Sequence, residues 1–214
     1  MRNLVVLAIA LLSIYACVGM PGPIQLNGTE VMQYNGTNLS PISGVYENAI
    51  AGTQYIDVNN YTLKITGLVS NPQEYTYAQV LGHQHYSKVV QLDCVEGWNA
   101  TILWEGVLVK DLIAEAGPQP GATTVIFKAA DNYTTSFPLS YIEDNDIIMA
   151  YKMNNVTLPS EQGFPFMLVA ESKWGYKWIK WITEIELSND TNYQGYWESR
   201  GYSDSGNMNE TFIK

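Results

Sequence analysis

The chain is poor in the residues that usually build cages, staples and polyanion-binding faces. It has two cysteines and two histidines in 214 residues. Eleven basic residues stand against 21 acidic ones, for a formal charge of −10. A phosphate backbone needs a basic face, so this balance argues against a nucleic-acid partner. There is no haem-attachment motif, no internal repeat and no apolar run long enough to span a bilayer comfortably. His83 and His85 lie two apart in a loop without further nearby ligands, and such a pair is more often incidental than a metal site. What is present is apolar and aromatic: 46% of the chain is hydrophobic and 12% aromatic, enough for one proper core.

The N-terminus reads as an export signal. Arg2 supplies the positive start, and Leu4 to Leu12 is an unbroken apolar run. Ile14-Tyr15-Ala16-Cys17 resembles a lipoprotein processing site, so three outcomes stay open: lipidation and membrane anchoring through Cys17, plain cleavage nearby, or a retained anchor. No twin-arginine pair precedes the run. Asn27, Asn35, Asn38, Asn60, Asn99, Asn132, Asn155, Asn189 and Asn209 each begin an Asn-x-Ser/Thr triplet, which fits a glycosylated protein outside the cell or at its surface. An Asn- and Thr-rich composition also produces such triplets by chance.

Four segments follow: a signal over residues 1–17, a flexible lead-in over 18–52, a folded domain over 53–204 and a tail over 205–214. The lead-in is assigned on its Gly, Pro, Asn and Thr content. Within the domain, alternation predicts a strand from Tyr61 to Gly67, and Tyr75 to Leu81 reads as a short helix. Lys88 to Leu92 is β-branched and delivers Cys94 at its carboxyl end. Gly106 to Ala116 reads as an amphipathic helix stopped by Gly117-Pro118. Strands are predicted at Thr124–Lys128, Tyr133–Phe137, Ile147–Met153, Phe164–Ala170 and Trp178–Leu187. That pattern is an α+β domain, mostly β. If Cys17 is processed, Cys94 is the one thiol left, and a single thiol cannot form an internal disulfide. A buried thiol packed as a small hydrophobe is the plain alternative to a functional one.

Several segments, in one order and spacing from about Tyr55 to Asp204, carry a resemblance. They include Tyr61 to Val69, Asp93-Cys94-Val95-Glu96-Gly97-Trp98, Trp104-Glu105-Gly106-Val107, Gly163-Phe164-Pro165, Gly175 to Trp181 and Gly195-Tyr196-Trp197-Glu198. Together they resemble the oxidoreductase molybdopterin-binding domain of the sulfite oxidase family, here as a short, exported member. The resemblance implies a single domain of the sulfite-oxidase-type fold and a molybdopterin cofactor carrying molybdenum or tungsten. It implies Cys94 as metal ligand, a thiolate suiting a soft, redox-active metal. Glu96 matches an acidic position beside the metal that tunes its field or moves a proton, against the plain reading of a solvated loop carboxylate. Asp131, Tyr176, Lys177 and Trp178 match cofactor-binding positions, with Lys177 on the cofactor phosphate. Lys173, Lys177 and Lys180 crowd eight positions of an acidic chain. At two positions expected to face the cofactor this chain has Gln162 and Met167, where the family usually has His and Arg.

Two functions follow. One is an oxidoreductase moving an oxygen atom and two electrons on a small substrate, served by a separate electron carrier. The other is a cofactor-free descendant acting as a surface binding module.

Overall fold

The computed structural model describes residues 23–214. The signal segment and Cys17 lie outside the described residues. A short hairpin opens the chain, β1 (Gln33–Tyr34) with β2 (Thr37–Asn38). Then come β3 (Thr62–Gly67), β4 (Gln73–Thr76), α1 (Tyr77–Leu81), β5 (His85–Asp93), β6 (Asn99–Leu108) and α2 (Val109–Ala116). β7 (Thr124–Ala129), β8 (Thr134–Pro138), α3 (Leu139–Asp144), β9 (Ile148–Met153), β10 (Val156–Thr157), β11 (Met167–Val169) and β12 (Ile182–Ser188) complete it. One five-stranded sheet runs β10-β9-β6-β5, with β11 also on β9; the other runs β4-β3-β12-β7-β8. Only β3 with β12 is parallel, so the mostly-β α+β reading holds.

Local chemistry sets several boundaries. Thr76 and Gln79 form a reciprocal capping box that starts α1 after the strand residues 73–76, two positions later than expected. Gly117, in the left-handed region at φ 66°, ends α2 where the sequence placed its stop. The helix expected from Gly106 begins only at Val109, because Gly106 and Val107 are strand residues paired on both sides, to β5 and β9, and Leu108 still pairs to Ile148 of β9. A Cβ at Gly106 would lie 2.1 Å from the Met149 carbonyl oxygen, so glycine permits this approach of two backbones. Two expected strands shrink. The one over Phe164–Ala170 survives as β11, and the one over Trp178–Leu187 starts at Ile182, since Trp181 turns the chain at φ 52°.

Residues 23–52 are not a free tether. Leu39 and Val45 are buried, Ser40 N–H donates to the Thr101 carbonyl at 2.8 Å, and Asn154 Nδ2 donates to the Ser40 carbonyl at 2.8 Å. Side chains of the domain, Asn154, Asn155 and Thr157, thus satisfy backbone groups of the segment read as flexible. The tail is docked as well: Lys173 Nζ donates to Asn207 Oδ1 at 2.5 Å, and Phe212 meets the Trp174 ring edge-on at 5.7 Å.

Candidate functional site

Cys94 follows the last residue of β5 and opens the tight loop to β6. Its amide donates to the Trp98 carbonyl at 2.9 Å, and Gly97 N–H returns to the Cys94 carbonyl at 3.0 Å. Gly97 sits at φ 89°, a conformation that L side chains rarely adopt, so this loop favours glycine there. The turn Gly175–Lys177 closes against it, with Asp93 bridged to Trp174; a Cβ at Gly175 would lie 3.4 Å from Cys94 Cα. Two loops remote in sequence thus hold the thiol at a fixed position.

The thiol lies on the wall of a cleft of about 570 Å³. Glu96, Asp131, Tyr176 and Trp178 share the wall, as do Gln162 and Met167. Five of the six residues singled out for chemistry therefore meet in one cavity, and so do the two positions that depart from the family pattern. Lys177 is the sixth, and it does not join them. Its side chain is fully buried, and Nζ donates to Glu198 Oε1 at 2.6 Å, to the Ser136 carbonyl at 2.7 Å and to the Asp204 carbonyl at 3.1 Å. An ammonium with these three acceptors is an internal staple, and phosphate contact through Lys177 is corrected on that ground.

The cation that does line the cleft is Lys180. Its Nζ donates to the Glu161 carbonyl at 2.9 Å and lies 4.4 Å over the Trp181 ring. Burial lowers its pKa to about 8, against the opposing pull of Glu47, Asp131 and Glu161. Lys173 is also lowered to about 8 by burial and the neighbouring Lys177, and it serves the tail.

Sequence reasoning missed the wall supplied by residues 46–50. Asn48 Nδ2 lies 3.6 Å from Cys94 Sγ as a donor, and Gln162 Nε2 pins this segment through the Val45 carbonyl at 3.0 Å. No spacing motif joins positions 48 and 94, and the segment's composition pointed elsewhere. Tyr196 and Trp197, which the resemblance had marked, prove to be cleft wall too, and Tyr202 joins them.

Burial raises the Cys94 pKa, and the Glu96 charge raises it further, while main-chain groups of Glu96 and Val95 pull it down. The free thiol is thus kept protonated until a cation replaces the proton. Tyr176 OH already donates to the Ser203 carbonyl at 2.7 Å and Trp178 Nε1 to the Lys173 carbonyl at 3.0 Å, so these two residues offer ring faces. Asp131 Oδ1 accepts the Tyr133 amide at 3.0 Å. Among the described residues no three His, Cys, Asp or Glu side chains cluster as a metal cage. His83 is accounted for by Glu115 at 3.2 Å and an edge-on contact with Tyr75.

The family model described as the oxidoreductase molybdopterin binding domain matches residues 50–197. The chain is 31% identical over 149 residues to an uncharacterized oxidoreductase, YuiH, of Bacillus subtilis, covering 69% of this chain and 75% of that protein. It is 32% identical over 149 residues to a putative protein-methionine-sulfoxide reductase subunit, YedZ1, of Azospira oryzae, covering 69% of this chain and 56% of that one. The solved sulfane dehydrogenase SoxCD from Paracoccus pantotrophus superposes with a TM-score of 0.67 at 20% identity, over 92% of this chain and 59% of its own. At that identity the likeness speaks for the fold alone.

Proposed function

The chain belongs to the oxidoreductase molybdopterin-binding domain family, and we propose that it is a molybdenum- or tungsten-cofactor oxidoreductase acting on a small substrate. The observation that carries this reading is a lone thiol, hydrogen-bonded by an amide, on the wall of a cleft of about 570 Å³ with aromatic sides. These residues fit the cofactor. One soft sulfur donor suffices where a dithiolene completes the metal, and a neutral buried thiol binds as its proton is displaced.

When bound, the cofactor supplies a redox metal competent for oxygen-atom and two-electron transfer. The protein's share is placement and charge. Cys94 would hold the metal, and Asn48, with its amide Nδ2 facing the sulfur, would orient it. Tyr176 and Trp178 would offer ring faces to the pterin, and Asp131 would accept hydrogen bonds from its N–H groups. Lys180, not Lys177, is the ammonium available to the phosphate. Glu96, close enough to act on the thiol's pKa, is the carboxylate placed to take or give a proton.

A separate carrier would pass electrons to or from the site, and the Azospira relative is itself named as a subunit. Export to the cell surface, with Cys17 as a lipid anchor, rests on the apolar N-terminal run. Among the described residues no helix is long and apolar enough to cross a membrane. Elemental analysis of protein from its native source tests the reading. Molybdenum or tungsten should be present in wild type and lost in Cys94→Ala. A metal-free wild type would leave the fold standing and remove the activity.

A further inference from the structure

The cleft is charged against anions. Beyond Asp131 and Lys180, which the cofactor would take, its charged lining is Glu47 and Glu96 with no further cation, a formal sum of −2. Lys180, the ammonium left for the cofactor phosphate, also meets the Glu161 carbonyl and the Trp181 ring, so it is not free for a second anion. Other cations near the site are occupied elsewhere. Lys177 is sealed in its ion pair, and Lys173 serves Asn207. Arg200 packs its guanidinium 3.6 Å from the centre of the Tyr196 ring and donates to the Tyr196 carbonyl, outside the cleft wall.

Met167 on β11 puts a thioether, not a cation, into the wall. The rest of the rim is aromatic. Tyr46 is 67% exposed and lies 5.6 Å from the Trp98 ring; Trp197 and Tyr202 are 5.0 Å apart on the tail side. Ring faces attract cationic groups and tolerate neutral ones. Carboxylates beside them add to the same preference.

We propose that this cleft selects its substrate by charge, admitting net-neutral or cationic molecules and rejecting oxyanions, with Glu47 as the specificity-determining residue at the rim. The inference rests on the cleft being the substrate site of the oxidoreductase. It concerns the charge class alone and follows from side chains that the chain itself provides.

Two redox-inert ions separate charge from turnover. The purified full-length protein, its molybdenum content measured on the same batch, is titrated calorimetrically with tetramethylammonium and with sulfate. Dimethyl sulfoxide serves as the neutral competitor. Tetramethylammonium should bind about tenfold or more tightly than sulfate and be displaced by dimethyl sulfoxide. Glu47→Gln, a rim substitution that leaves the fold alone, should weaken tetramethylammonium about three- to fivefold and narrow the gap to sulfate. Sulfate binding as tightly as tetramethylammonium, or a ratio unmoved by Glu47→Gln, would overturn the proposal. A batch without molybdenum overturns the oxidoreductase reading and this inference with it, whereas a loaded batch that favours sulfate overturns this inference alone.

Discussion

Lys177 Nζ lies 2.6 Å from Glu198 Oε1, with both side chains at most 1% exposed. The pair ties the turn beside Cys94 to the tail that supplies Tyr196, Trp197 and Tyr202 to the cleft. Thr135 Oγ1 donates to the same oxygen at 2.6 Å, and the second oxygen of Glu198 is buried without a hydrogen-bond partner. Burial pulls the Lys177 pKa down and Glu198 pulls it up.

Glu198→Ala should therefore be severe, leaving a buried ammonium without its counterion at a cost of about 3–5 kcal/mol. Replacing both partners, Lys177→Met with Glu198→Leu, should recover much of that loss. Urea denaturation of the two variants measures both. A Glu198→Ala protein within about 0.5 kcal/mol of wild type would contradict the staple.

Asn48→Leu keeps the volume and removes the donor facing Cys94 Sγ. Metal retention should fall about 10- to 100-fold, as for other outer partners of metal ligands, while metal-free stability barely moves. Metal content after graded chelation, beside the melting temperature of the metal-free protein, tests this. Equal loss of both would make Asn48 a packing residue.

The metal-free thiol should react slowly with iodoacetamide at pH 8, because burial and the Glu96 charge both raise its pKa. Glu96→Gln removes the second cause, so alkylation at the same pH should become faster. An unchanged rate would show that the carboxylate does not reach the sulfur.

Lys173 and Lys180 both have pKa values near 8 in the fold, below the ordinary 10.5, chiefly through burial. Above pH 8 the unfolded chain holds more protons on these lysines than the native one, so stability should rise with pH. The lysine window runs from about pH 8 to 10.5, and above pH 9 Cys94, raised from 9.0, offsets at most one of the two protons and lessens the slope without reversing it. Denaturation midpoints at pH 7, 8 and 9 check the sign, and Lys180→Met should flatten the rise.

The sequence alone determined the fold class, the place of Cys94 and the stop of α2, because alternation, β-branched runs and Gly-Pro are local signals. It also marked Cys94, Glu96, Asp131, Tyr176 and Trp178 through their ordered resemblance to one family. Tertiary structure decided which lysine faces the cleft. Lys177 and Lys180 are three apart in one segment, and only the packing of Glu198 and Ser136 around the first shows that it is enclosed. Tertiary structure also brought residues 46–50 to the thiol across 46 positions of chain between Asn48 and Cys94. It turned Gly106 to Leu108 from helix to strand as well, through backbone pairing to β9 and, for Gly106 and Val107, to β5 too. Such contacts carry no local signature: the same Asn that opens a loop in sequence can hydrogen-bond a sulfur once a sheet brings it there.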